Sequence, residues 1–295
     1  MACLRGTLPS TTTHEIHWRR RLVNALAVAA VSLAALIVLT PLVMILGTVI
    51  AHGMAGLHWS FFTQIPKPTG ETGGGMANAI VGSVMILLVA SAIGIPLGVG
   101  AGIFLAEYGR NVYGNIVRFT SDVLNGIPSI VIGITAYALV VLKQGHFSLL
   151  AGGVALGIMM IPTVCRTTEE VLLMVPQSIR EGALGLGIPQ WRTTVSVVVR
   201  TATSGIVTSI MLAFARVAGE TAPLLFTALG STFWTWKLSE QAAAMPLQIY
   251  QYSITAYDDL IQQAWTGAMV LIAMIIGTVI FVRFVTNRGM LKGAR

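Results

Sequence analysis

The sequence predicts an all-α integral membrane protein of six transmembrane helices, with a short helix on the cytoplasmic side and both termini in the cytoplasm. Three observations predict it. Hydrophobic residues make up 55% of the 295 positions and charged residues only 10%, with a mean hydropathy of +0.80. Soluble domains carry roughly a quarter charged residues, and a soluble chain this apolar would expose large sticky patches. Six stretches, 22–51, 77–106, 116–142, 149–175, 201–230 and 264–286, are long enough to span, since about 20 apolar residues cover the hydrocarbon core. The cations then sort by side. Arg19, Arg20, Arg21, Arg110, Arg118, Arg180, Arg192, Arg200 and Arg283 fall in one set of connecting segments, and only Lys67, Lys143 and Lys237 in the other. That asymmetry places both termini inside. The net charge of +7 therefore reads as loops facing anionic lipid rather than as a nucleic-acid surface.

Residues 1–21 read as a cytoplasmic tail, 22–286 as the six-helix domain and 287–295 as a second cytoplasmic tail. The apolar run after "HWRRR" far exceeds the roughly 7–15 residues of a cleavable signal, so the first span reads as a retained signal anchor. The Gly-rich "TGETGGG" at 69–75 reads as a flexible loop. It lacks the preceding strand and the Lys-Ser/Thr of a phosphate-cradling loop, so this chain has no nucleotide site of its own. In the second span Gly94, Gly98 and Gly102 recur every four residues, a smooth face for close helix packing. Glu107, at its end, reads as a helix terminus. Asp122 and Asn125 precede Pro128 in the third span, with no chemistry assigned to them.

The fourth span is interrupted by Arg166, Glu169 and Glu170 at its inner end. This second ionic group is either an interfacial ion pair or part of a path. Proline punctuates five of the six spans, at Pro41, Pro96, Pro128, Pro162 and Pro223. In lipid, the backbone groups a proline frees must be satisfied by neighbours or by water in a cavity. Together they indicate a bundle built around a pathway, with helix breaks at Pro128 and Pro223.

Between the fourth and fifth spans lies "PQSIREGALGLGIPQWRTTVSVVVR" (176–200). Ser178 and Glu181 have capping-box spacing and predict a helix starting near Ser178. Gly182, Gly185 and Gly187 each cost a helix about 1 kcal/mol relative to alanine. Small residues there are useful if another protein must approach the backbone closely.

The fifth span holds Arg216 and Glu220 near its centre, in "FARVAGETAPLLFTALG". A lipid-facing charge at that depth costs at least about 2.5–3.5 kcal/mol. Positions i and i+4 share a helix face, so the two can pair. Pro223 cannot donate to the carbonyl of Gly219, so a bend is expected there. Two readings stand. The pair is a buried structural bridge, or its face lines a path on which Arg216 binds an anion, with Thr221 adding a hydroxyl. Arginine is always ionised and its planar fork matches two phosphate oxygens. Glu220 would hold Arg216 between substrates and could accept a hydrogen bond from a protonated phosphate oxygen.

Two further stretches complete the pattern: "DVLNGIPSIVIG" (122–133) and "ARVAGETAPLLFTALG" (215–230). With Glu181-Gly182-Ala183-x-x-x-Gly187, which resembles the EAA-x-x-x-G loop of ABC-importer permeases with glycine for the middle alanine, they make residues 77–285 similar to the phosphate-importer branch, the PstA-type permeases (MetI-like). That resemblance implies a type I ABC-importer fold in the bacterial cytoplasmic membrane. It implies a coupling loop at about 176–192, with Ser178, Glu181, Gly182, Ala183 and Gly187 meeting an ATPase. The implied partners are a homologous second permease (PstC-type), a cytoplasmic ATPase dimer (PstB-type) that uses ATP and Mg, and an extracytoplasmic phosphate-binding protein (PstS-type). The chain itself would bind no cofactor and catalyse no covalent step. Arg216 is the arginine the resemblance puts on the anion path. The outer segment 231–263 becomes the binding protein's docking face, with Trp234, Trp236, Tyr250 and Tyr252 at the membrane interface and Asp258 and Asp259 as candidate contacts.

Other classes are poorly served by the residues. The two cysteines, Cys3 and Cys165, offer no disulfide framework, and the five histidines never cluster at metal-ligand spacing. No clustered acids or serine-base pair marks an enzyme. A permease for molybdate or sulfate, and an ATP-independent secondary transporter, remain as alternative readings.

Overall fold

The computed structural model describes residues 12–68, 70–71 and 73–293, with side chains from Trp18 to Thr286. The expected tails, the first cysteine and two threonines of the Gly-rich loop lie outside the described residues in whole or part. The chain is nearly all helical. Its main helices are α1 (Thr12–Gly53), α2 (Ala77–Tyr108), α3 (Val112–Gly126), α4 (Ser129–Ala136), α5 (Leu149–Leu173), α6 (Gln177–Gly185), α7 (Thr203–Ala218), α8 (Ala222–Leu225), α9 (Met245–Ser253) and α10 (Asp258–Gly293). It divides into two compact units, one through Ala51 and one from His52 onward. The first holds most of α1, whose described side chains are mostly apolar and exposed beyond Arg21.

Four helices among the described residues are long and apolar enough to span, and the count is six if each of two bent pairs is one span. The first of these pairs bends at Pro128 in the third span, where a helix break is expected; the second bends at the start of the fifth span, where none is expected. In the third, α3 and the helix from Ser129 to Gln144 meet at 105°. Ile127 and Pro128 are both extended (ψ 132° and 135°). A residue before proline is driven out of the helical region, and the ring removes the N–H that would have continued the ladder. In the fifth, helical segments over Gln190–Thr201 and Thr203–Ala218 meet at 71°. Thr201 and Thr203 donate back to the carbonyls of Val197 and Val199 there, a pattern that bends helices. Pro41, Pro96 and Pro162, by contrast, lie inside continuous helices.

The core of the second unit is the contact of α2 with α5. Close approach requires the small residues: a Cβ on Gly98 would stand 2.6 Å from Val164 Cβ, and one on Gly102 2.7 Å from the carbonyl oxygen of Cys165. Ile86, Ala90, Leu156, Met160, Val164, Ala213 and Val217 are buried in the resulting cluster. The long segment before α9 closes one end. It supplies carbonyls from Thr227, Glu240 and Leu238 to the amides of Ser148, Leu149 and Leu150 at the start of α5, at 3.0, 2.8 and 2.9 Å, which a helix start otherwise leaves unsatisfied. Ser83 in turn accepts from the amide of Met245 at 2.7 Å.

Candidate functional site

The break that ends α7 decides the geometry around Arg216. The helix stops at Ala218, with Gly219 at φ −95°, ψ 0°, and the Glu220 amide turns back to the Val217 carbonyl at 3.1 Å. Pro223 occupies the first turn of the four-residue α8, where its missing N–H costs nothing. The expected bend is therefore a helix terminus. The expected Arg216–Glu220 pair is not formed, because four-residue spacing brings side chains together only while the helix continues. Among the described residues neither side chain enters an ion pair or a hydrogen bond. Arg216 is exposed and Glu220 half-buried. Arg216 sits in the last turn of α7, next to buried Val217, which shares the core with Ile132, Leu156 and Leu224. Helix C-terminal carbonyls favour a cation there by about 0.3–1 kcal/mol, far from full neutralisation. The Thr221 hydroxyl reaches only the Pro246 carbonyl, at 3.5 Å.

The ionic group on α5 centres on Glu169, buried with 3% of its side chain exposed. It accepts from Arg118 on α3 at 2.6 Å and from Arg166 at 2.5 Å, and Arg166 also meets Asp122 at 3.0 Å. Glu170 is exposed and stands outside the cluster. Arg118 and Asp122 are the members sequence reasoning missed. They lie four apart on α3, and only the packing of α3 on α5 brings them to Glu169 and Arg166. Arg118 further donates to the carbonyls of Leu105 and Gly109 at 3.0 and 2.9 Å, capping the end of α2. Asn125 accepts from Thr163 at 3.1 Å.

The segment predicted to couple forms α6, one residue earlier than expected. Pro176 is its N-cap and makes no side-chain cap bond, so the Ser178–Glu181 capping box does not form. Ala183 is the buried residue of α6; Ser178, Glu181, Gly182 and Gly185 face outward. Its end explains one glycine fully. Gly187 adopts φ +78°, its amide bonds the Leu184 carbonyl at 2.9 Å, and the Ile188 amide bonds the Ala183 carbonyl at 3.3 Å. This is a Schellman cap, which asks for glycine at that position. A Cβ on Gly182 or Gly185 would meet nothing within 4 Å, so no contact among the described residues requires those glycines.

Glu107 is more than a helix end. It accepts from Arg180 of α6 at 2.8 Å, with 8% and 11% of the two side chains exposed. In the segment before α9, Trp234 and Trp236 stack with centroids 6.0 Å apart. Asp258 and Asp259 occupy the first turn of α10, where the helix dipole favours acids. A cleft of about 400 Å³ lies between Leu229–Phe233 and the α9 side chains Leu247, Gln248 and Tyr252.

Residues 98–290 match the family described as "binding-protein-dependent transport system inner membrane component". The chain is 44% identical over 269 residues to the phosphate transport system permease protein PstA of Xylella fastidiosa, covering 90% of this chain and 93% of the relative. It is 41% identical over 284 residues to PstA of Yersinia pestis, covering 94% and 96%. Among solved structures, an inward-facing methionine transporter, MetNI, matches with TM-score 0.56 and 19% identity over 72% of this chain and 94% of that one. An amino acid ABC transporter with histidines matches with TM-score 0.51 and 17% identity over 71% and 92%. The fold is thus that of ABC-importer permeases, and the chain belongs to the family of binding-protein-dependent inner membrane transport components, among the PstA phosphate permeases.

Proposed function

We propose that this chain is the membrane-spanning, non-catalytic permease subunit of an ATP-driven inorganic phosphate importer, and that Arg216 is its anion contact. The observation that carries the site is the helix terminus at Ala218. It leaves an always-ionised guanidinium at the end of a membrane helix with no acid paired to it among the described residues. In a membrane such a group faces an acid, backbone carbonyls or a water-filled cavity, and its unpaired fork suits an anion. In the assembled importer that anion is phosphate during passage and a carboxylate of the facing permease between passages. Phosphate as the cargo is supported by the named relatives. Glu220 and Thr221 lie on the irregular backbone between α7 and α8. Glu220 would accept a hydrogen bond from a protonated phosphate oxygen, a donor that fully ionised sulfate lacks.

α6 is the ATPase contact. Its outward glycines allow a partner's surface to approach the backbone, and ATP and Mg belong to that partner. The α6 end faces the cytoplasm together with both termini, in the bacterial inner membrane. A PstC-type permease, a PstB-type ATPase dimer and a PstS-type binding protein complete the assembly. ATP closure of the ATPase pair moves α6, the bundle opens outward, the binding protein releases phosphate, and hydrolysis resets the cycle. The test is ATP-dependent phosphate uptake by vesicles carrying the reconstituted complex. Parent uptake that Arg216→Gln abolishes, with the complex still assembled, supports the reading. Normal uptake in Arg216→Gln returns that arginine to a structural role.

A further inference from the structure

We propose that the Arg180–Glu107 ion pair is the strut through which movement of α6 reaches the body of the bundle, making both side chains positioning residues for coupled transport. The proposal rests on the reading of α6 as the ATPase contact.

α6 is otherwise lightly held. It buries only Ala183, while Ile179 and Leu184 are exposed. A cleft of about 360 Å³, lined by Ala106, Glu107, Leu173, Arg180, Glu181 and Thr193 among others, runs between it and the ends of α2 and α5. Apolar packing therefore transmits little push or pull from α6. Arg180 crosses that gap. Its Nε and Nη2 donate to one Glu107 oxygen at 3.2 and 2.8 Å, and its Nη1 and Nη2 donate to the carbonyls of Val175 and Leu172 at 2.6 and 2.8 Å. One side chain thus ties α6 to the end of α2 and the end of α5 at once. Removing one partner of a pair so shielded from water is strongly unfavourable, and a forked, charge-assisted contact holds direction as well as distance.

The connection continues beyond Glu107. The carbonyls of Leu105 and Gly109, two residues to either side, receive Arg118 of α3, and Arg118 ends on Glu169 of α5. From α3 the chain passes the 105° bend into α4, whose Gly133 packs against Pro223 beside Thr221 and Glu220. Intermediacy in space is not coupling by itself; the distinctive claim is that the first link is ionic and can be cut without removing bulk.

The experiment uses the complete complex in vesicles and reads phosphate moved per ATP hydrolysed, with assembly checked by copurification. Glu107→Gln is expected to assemble and hydrolyse ATP while phosphate per ATP falls about tenfold, and Glu107→Asp is expected to recover most of the ratio. Should Glu107→Gln fail to assemble, Arg180→Lys, which keeps charge and loses the fork, is expected to show a lowered ratio. An unchanged ratio in Glu107→Gln, or in Arg180→Lys if that is the assembling variant, overturns the strut. So does a merely lowered melting temperature with the ratio intact. Absence of phosphate uptake by the parent complex would instead overturn the functional reading on which the strut rests.

Discussion

Gly133 of α4 and Pro223 of α8 meet backbone to backbone: a Cβ on Gly133 would stand 2.7 Å from the Cα of Pro223. The contact joins the bent third span to the broken end of the fifth, two residues from Thr221. Gly133→Ala must displace the Pro223 backbone, at about 1–3 kcal/mol for overpacking, and should lower phosphate uptake by shifting Glu220 and Thr221. Gly126→Ala is the control, since its Cβ would meet nothing within 4 Å. Thermal unfolding and vesicle uptake of both variants check this; equal behaviour of the two would remove the contact's significance.

Arg216 and Glu220 are separable because they do not pair within the chain. Arg216→Lys keeps the charge and loses the planar fork, so uptake should fall less than in Arg216→Gln but remain below the parent. Glu220→Gln should leave assembly intact and alter the preference for phosphate over sulfate, measured by competition in the uptake assay. Unchanged selectivity would exclude Glu220 from recognition of the protonated oxygen.

The outward glycines of α6 make opposite demands on stability and on partnership. Gly182→Leu and Gly185→Leu start from Cβ positions that meet no atoms of this chain and replace a poor helix former, which favours the helix by up to about 1 kcal/mol. The chain should melt no lower, while copurification of the ATPase is lost. Gly187→Ala should behave differently. Its φ of +78° strains any residue with a Cβ by about 1–2 kcal/mol, so the loop itself loosens.

Glu169 and Glu170 are neighbours with opposite expected costs. Glu169 is buried between two arginines, and Glu169→Ala leaves both without their shared acceptor, at about 3–5 kcal/mol for a broken buried pair. Glu170 is exposed and outside the cluster, so Glu170→Ala should change stability by less than about 0.5 kcal/mol. Melting curves of the purified complex distinguish them.

Much of this organisation was legible in one dimension. Hydropathy placed the first, second, fourth and sixth spans to within a few turns, because each is a continuous helix. The glycines of 94–102 announced their packing face because periodicity survives folding intact. The break in the third span was legible at Pro128, but the bend that opens the fifth was not: an apolar run records burial in lipid or protein, and it does not record whether the backbone stays helical. Pro128 turned its span through about a right angle, whereas Pro41, Pro96 and Pro162 left theirs continuous. Nothing in the residue type separates those outcomes.

The charges divide in the same way. By itself the sequence determined that a membrane bundle carries Arg216, Glu220 and the 166–170 group, since charge and hydropathy are properties of residues. The structure, not the sequence, separated Gly187 from its neighbours, by giving it a left-handed backbone at the end of α6. Only the tertiary structure decided which charges meet. It separated Arg216 from Glu220 by ending a helix, brought Arg118 to Glu169 across 51 positions, and set Arg180 on Glu107 across 73. Ion pairing depends on distances of a few ångströms between side chains, and those distances are fixed by helix packing rather than by spacing along the chain.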